Sequence, residues 1–404
     1  MGTISSREFL PLYAVIFLGF FGYALTITLF IPMLMDRSFA LLPPTSTTAL
    51  RVTLSGLLLA MYPLGQFLGS PIIGNLSDHF GRKKVLLLSL LACIVGFVGM
   101  ALSIEYYQLS LLFISAFFTG LCESNMAISQ SIIADKSNDI VQKTKFIGYA
   151  YSACSLGYVV GPLLGGPVAS VLGYSIPFWM TAIGVLLIIV WIFYCFDDRY
   201  VSSKIAAVTM RQAITSMKSL FNQPKLYKIY FINFLIFFSV QGLYRVVPLY
   251  VMDEWKPSLL VYSFLISYVS LLCLIANLFI LGKLARRFST QTLLCGLLLL
   301  GGMLVILIIV PSHFNWIWLT YGLAVIPTVM ALPTCTSWLS QHAAANEQGQ
   351  VLGNNQALLV LGESSSAAIG GFIAAILVPL PVAVMGVILL ITGMKLVIDH
   401  RKIP

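Results

Sequence analysis

Long apolar runs, each interrupted by a short cluster of charged, proline or glycine residues, set the pattern of this chain from end to end. The runs approach about 20 residues, the length at which an α-helix crosses about 30 Å of hydrocarbon. Segments of about 10 residues alternating in polarity, the mark of a spanning strand barrel, do not occur. Cutting at the breaks predicts twelve helices, over residues 9–35, 52–76, 84–103, 107–134, 145–172 and 175–196, then 227–252, 258–285, 291–311, 315–339, 349–376 and 379–398. The first run is too long for a secretory signal peptide and has no small-residue cleavage site after a short apolar core, so it is expected to be a span. The predicted fold class is an all-α membrane protein.

Composition agrees with the pattern. Of 404 residues 59% are hydrophobic and 9% charged, against about 25% charged in a soluble domain, so the chain cannot cover a water-facing surface and takes the lipid bilayer as its main partner. With the N-terminus inside, 19 of the 23 Lys and Arg fall on the inner side. The positive-inside rule then predicts cytoplasmic termini in a multi-pass protein of a plasma membrane, the bacterial inner membrane. This bias accounts for the net charge of +9, and no nucleic-acid partner is called for.

The seven cysteines stand singly in apolar runs without metal-ligand spacing, so they read as small core residues and no metal is expected. There is no phosphate loop and no His-Glu-x-x-His pair, and the four histidines lie at loops or ends. No cofactor is implied, a membrane-embedded enzyme is disfavoured, and any energy must come from a gradient.

The polar stretch after Asp197 divides six spans from six. The expected organisation is a bundle over 1–196, a cytoplasmic linker over 197–226 and a second bundle over 227–404, in a monomer. Within the linker, Met210, Ala213, Ile214, Met217, Leu220 and Phe221 follow helical spacing opposite Arg211, Gln212, Thr215, Ser216 and Lys218, which predicts an amphipathic helix on the inner membrane surface; an irregular linker is the alternative. The two halves repeat each other. Gly148, Gly157, Gly165 and Gly166 recur as Gly353, Gly362, Gly370 and Gly371, each 205 residues on. Gly74, Leu76 and Phe80 recur as Gly282, Leu284 and Phe288, each 208 residues on. Two equivalent six-span halves suit a transporter, because opposed bundles can open a central site to either side.

The segment Gly74-Asn-Leu76-Ser-Asp78-His-Phe80-Gly81-Arg82-Lys83-Lys84 resembles the signature of the major facilitator superfamily between its second and third spans. The resemblance implies that fold, twelve helices in two pseudo-symmetric bundles, and gives Gly74, Asp78, Gly81 and Arg82 a part in an inner gating loop. The glycines are expected to let helix ends approach, and Asp78 to meet a helix N-terminus or the adjacent cations; a purely topological role for the cations is the alternative. Span 5 carries Gly157, Gly161, Pro162, Gly165 and Gly166, similar to the motif of drug:proton antiporters and tetracycline exporters in that superfamily. Small residues one turn apart permit close helix packing and Pro162 is expected to bend the helix. The arginine usual in span 4 of that branch is replaced here by Ala116, so the relatives' proton pathway does not transfer directly.

Two acidic residues fall near the middle of spans, Glu123 in span 4 and Glu363 in span 11, and one base, Arg245, lies in the outer half of span 7. Insertion scales place the cost of such a charge at about 2.5–3.5 kcal/mol, so each is a functional candidate. Low dielectric favours the neutral acid, which lets a glutamate load and release a proton as water access alternates. Glu123 and Glu363 are therefore candidates for proton coupling, with a permanently protonated packing role as the alternative. Glu363 stands at the repeat position of Tyr158, so shared packing does not demand it.

The family fold lines its cavity with spans 1, 4, 7 and 10, which implies that Glu123, Asn125, Gln241, Tyr244 and Arg245 share one space. Gln241, Tyr244 and Arg245 lie on one helical face. Arg245 suits a carboxylate, phosphate or polar oxygen on a solute, or an ion pair with Glu123 or Glu363. The aromatics Phe17, Phe20, Phe21 and Tyr23 of span 1, and Phe234, Phe237 and Phe238 of span 7, read as packing or lipid-facing residues.

Together these features predict a secondary active transporter exporting a small organic compound, a drug-like amphiphile or a metabolite such as a siderophore, against a flow of protons. Proton-coupled uptake or facilitated passage of a polar or anionic solute is the alternative within the fold, and a non-transporting receptor the alternative outside it.

Overall fold

The computed structural model describes residues 9–123, 125–136, 140–195, 224–343 and 348–401. The amphipathic helix expected between 197 and 226 falls almost entirely outside the described residues. The elements, in chain order, are α1 (Leu10–Met35), α2 (Thr48–Phe80), α3 (Arg82–Glu105), α4 (Leu109–Cys122), α5 (Asn125–Lys136), α6 (Ile140–Leu172), α7 (Ile176–Cys195), α8 (Pro224–Glu254), α9 (Leu259–Ile275), a π-helical turn (Ala276–Ile280), α10 (Leu281–Ala285), α11 (Thr290–Leu307), α12 (Asn315–His342), α13 (Gln348–Ala374) and α14 (Leu380–Arg401). Twelve spans are long and apolar enough to cross a membrane, with α4 and α5 forming one and α9, the π turn and α10 another. All twelve coincide with the predicted runs to within a few residues.

Local chemistry explains the ends. A proline near the start of α1 removes an N–H that would have no helical partner. Ser289 caps α11 by accepting from the Thr292 N–H at 3.2 Å. Helices run unbroken through internal prolines at Pro32, Pro63, Pro71, Pro162, Pro167, Pro248, Pro327 and Pro333, which neighbouring helices in a membrane tolerate. Ile183, Leu187, Val190 and Phe193 of α7 stay exposed, as a lipid-facing stripe would.

The described residues fall into two compact units, one within Met1–Pro44, Met61–Ala213 and Leu259–Ser267, the other within Thr45–Ala60, Ile214–Ser258 and Tyr268–Pro404. In the first, α1 packs on α6 and α7, and α3 on α4 and α7. In the second, α8 packs on α13 and α14, and α11 on α12 and α14. The same span pairs recur, so the repeat extends from sequence to packing.

The repeated glycines serve the same purposes in both units. A Cβ on Gly157 would stand 2.6 Å from the Phe17 carbonyl of α1, and one on Gly362 3.0 Å from the Phe238 nitrogen of α8. Gly165 faces Leu25, and Gly370 faces Val246. Gly166 faces Ser263 of α9, and Gly371 faces Gly56 of α2. Gly161 lies against Phe21 and Ala24, completing the small-residue face along α6. Pro162 interrupts neither α6 nor this face.

Candidate functional sites

Span 4 was expected to be one helix and is not. α4 ends at Cys122, Glu123 is extended (φ −88°, ψ 97°), and α5 starts at Asn125. The Glu123 N–H still reaches the Thr119 and Gly120 carbonyls at 3.0 and 3.1 Å. The Cys122 carbonyl accepts instead from the Ser89 hydroxyl of α3 at 2.5 Å. A side chain from a neighbouring span thus replaces a helical N–H, the condition under which a break is tolerated at membrane depth.

The break holds the Glu123 carboxyl, 7% exposed, against α2 and α1. The Tyr62 hydroxyl and the Gln66 amide both donate to Oε2, the latter at 3.3 Å. Oε1 lies towards Gly19, where a Cβ would come within 2.5 Å of it and 3.5 Å of Asn125 Nδ2. Asn125 is itself buried and receives Ser89 at 3.5 Å on its Oδ1. Tyr62 meets Tyr23 with centroids 4.7 Å apart and rings tilted by 42°, Tyr23 meets Tyr158 at 6.0 Å, and Phe20 meets Tyr158 at 5.3 Å. Among the described residues no cation pairs with Glu123. The site is a carboxyl held by neutral donors inside an aromatic wall, charge-neutral only with a proton or a cation in place.

The second unit answers differently. Arg245 and Glu363, 3% and 5% exposed, form an ion pair between α8 and α13. Arg245 Nη1 also donates to the Gln241 carbonyl at 3.4 Å, which fixes the guanidinium along its own helix. Tyr244 lies beside the Cys273 thiol at 3.3 Å, just before the π turn in span 8. Of the expected solute contacts, Arg245 pairs with Glu363 and reaches the Gln241 carbonyl, Tyr244 meets Cys273, and Asn125 lies near Glu123 across Gly19. The span 1 and span 7 aromatics Phe21, Tyr23, Phe237 and Phe238 are buried in their units.

The gating signature is mostly helix, not loop. α2 continues to Phe80, and Gly81 alone turns the chain with φ +93°, the left-handed region that a Cβ disfavours. Asp78 pairs with Arg82 at 3.3 Å across the turn. A Cβ on Gly74 would meet nothing within 4 Å among the described residues, so no described element makes the close approach expected there. Its repeat partner Gly282 is equally open. Arg51 is 1% exposed within α2.

Tyr62 and Gln66 are absent from the sequence-level candidates. Their signal was present: a hydroxyl and an amide four residues apart, hence on one helical face, in an otherwise apolar run.

The comparisons with known proteins follow this architecture. Residues 12–353 and 229–402 match the family model described as Major Facilitator Superfamily. The chain is 25% identical over 357 residues, 86% of each chain, to Multidrug resistance protein 2 of Bacillus subtilis (strain 168). It is 24% identical over 366 residues, 87% of each, to Tetracycline resistance protein, class B, of Escherichia coli. Its fold resembles the human organic anion transporter MFSD10 (TETRAN), with a TM-score of 0.70 and 19% identity over 98% of this chain and 100% of that one.

Proposed function

Because the chain belongs to the Major Facilitator Superfamily, whose members carry small solutes across membranes, we propose that it exports a drug-like organic compound in exchange for protons, with Glu123 as the coupling carboxyl. One observation carries the proposal: Glu123 is buried at a helix break and its donors among the described residues are neutral, so a proton or a cationic solute is what satisfies it. Two ligands that neutralise one carboxyl compete for it, and competition across alternating access is antiport. The resemblance to multidrug and tetracycline resistance proteins supports the export direction. Gln241, Tyr244, Arg245 and Asn125 contact the solute.

The bundles 1–196 and 227–404 rock against each other, the termini and the Asp78–Arg82 turn lie on the cytoplasmic side of a plasma membrane, and the monomer is the working unit. One electrogenic proton moving through 100 mV supplies about 2.3 kcal/mol, enough for nearly fifty-fold accumulation.

The test is solute-triggered proton movement in vesicles containing the purified protein and a trapped pH-sensitive dye. Wild type should move protons on addition of an exported drug, and Glu123→Gln should not, with drug binding retained. Solute movement without a proton signal in wild type would leave a uniporter, and solute-driven acidification of the opposite sign would make the protein an importer.

A further inference from the structure

At the end of the first unit opposite the Asp78–Arg82 turn, three short connections follow α1, α3 and α6. Each brings an aromatic ring to one place. Phe39 meets Tyr107 with centroids 5.4 Å apart and planes at 58°, and meets Tyr174 at 5.1 Å and 69°. Tyr107 is held in a backbone conformation that a large side chain disfavours. α3 closes with two bonds, from the Tyr107 N–H to the Ile104 carbonyl at 3.3 Å and from the Gln108 N–H to the Ser103 carbonyl at 2.8 Å. A helix that ends this way normally gives its left-handed position to glycine, as α6 does with Gly173 at φ +100°. Here Tyr107 takes that position at φ +54°. A bulky residue in this region calls for a reason, and the result is a half-exposed ring set against Phe39.

Rings alone would read as packing; the charges around them say more. Asp36 lies three residues before Phe39, with Oδ1 accepting from the Ser38 N–H at 2.8 Å and the Ser38 hydroxyl at 2.7 Å. Burial and then the Asp36 charge push the Tyr174 phenol up to about 12, so its ring stays neutral beside that carboxylate. Glu105, two residues before Tyr107, accepts from Trp179 Nε1 at 2.8 Å. The three connections and the end of α3 thus hold two carboxylates against one base, Arg37. Partly exposed aromatic faces next to carboxylates favour a weakly hydrated cation, and a quaternary ammonium is the type that fits. We infer that Phe39, Tyr107 and Tyr174, together with Asp36, form a binding site for a trimethylammonium group. The second unit has a comparable corner, where Trp255 meets Tyr250 at 5.1 Å and Phe314 at 6.1 Å. There Tyr250 is 4% exposed, and Lys256 follows Trp255 with a positive charge of its own. The inferred site is also separate from Glu123: the 14 residues of α4 stand between Tyr107 and that carboxyl, about 20 Å of helix. It holds whether or not Glu123 couples protons.

The test compares choline with its neutral carbon isostere, 3,3-dimethyl-1-butanol, each bound to the full chain in nanodiscs whose lipids carry no choline. Wild type should bind choline about tenfold more tightly than the isostere, the mark of a cation on aromatic faces. Tyr107→Gly deletes one ring and gives the left-handed position to the residue that suits it, so choline affinity should fall about tenfold while Tm is kept or raised. Phe39→Leu should weaken choline as well, and Glu123→Gln should leave the Tyr107-dependent binding in place. Equal binding of the two isosteres, no choline binding by wild type, or unchanged affinity in Tyr107→Gly would each overturn the inference. Choline binding lost in Glu123→Gln and kept in Tyr107→Gly would also overturn it and assign the cation to Glu123. Repeating the measurement in phosphatidylcholine nanodiscs separates the two sources of the group. Binding that persists there supports a soluble ion as the ligand, and binding that is blocked supports a lipid headgroup at the same rings.

Discussion

Two buried glutamates sit in repeat-related units of one chain, and their surroundings are opposite. Glu123 has a hydroxyl, an amide and aromatic rings about it; Glu363 has a guanidinium. The repeat locates the difference. Leu25 and Val246 face equivalent glycines and are 221 residues apart, and the same shift carries Tyr23 to Tyr244 and Ala24 to Arg245. The shift of 205 carries Tyr158 to Glu363. At two equivalent positions the first unit thus holds Ala24 and Tyr158 where the second holds Arg245 and Glu363. The helix packing is shared and the charges are not, so neither glutamate is needed to hold its bundle together. A carboxyl with neutral donors suits loading and unloading, while one held by a guanidinium stays charged until something replaces it.

The largest effect expected from breaking this contrast is at the ion pair. Arg245→Gln takes the guanidinium away from the buried Glu363 and should lower stability by about 3–5 kcal/mol, read as a fall in Tm in detergent. Removing both charges in Arg245→Leu/Glu363→Leu should recover most of that loss. Gly19→Ala should come next: its Cβ would press on Oε1 of Glu123, and overpacking of this kind costs about 1–3 kcal/mol. Its signature is lost proton flux with a near-normal fold. Tyr62→Phe removes one donor and keeps the ring against Tyr23, so flux should drop by about tenfold, the kinetic equivalent of one hydrogen bond. The gating turn sharpens the comparison at the low end. Gly81→Ala forces a Cβ into the left-handed region and should cost about 1–2 kcal/mol of stability, whereas Gly74→Ala, with open space around it, should stay within about 0.5 kcal/mol.

Much of this was legible before any coordinates. Span length and spacing follow from the thickness of hydrocarbon, and the glycine repeat pointed to two equivalent halves. Glu123, Glu363 and Arg245 stood out because charge is rare in an apolar run. Their partners did not stand out. Helices that are apolar all round carry little rotational information, so nothing in the sequence turned Tyr62 and Gln66 towards Glu123. The same gap left Arg245 with two acidic partners to choose between. The break at Glu123 was hidden because the group that stabilises it, the Ser89 hydroxyl, comes from another helix and is an ordinary residue by itself. Gly74 misled for a related reason: a glycine in a recognised motif does not say whether anything approaches it.

The central claim, that Glu123 exchanges protons while Glu363 rests as a charged partner of Arg245, is tested most directly by infrared difference spectroscopy of the protein in lipid at neutral pH. The carbonyl stretch of a protonated carboxylic acid should be present in wild type, vanish in Glu123→Gln and persist in Glu363→Gln. A band that survives Glu123→Gln and disappears in Glu363→Gln would reverse the assignment of the two sites.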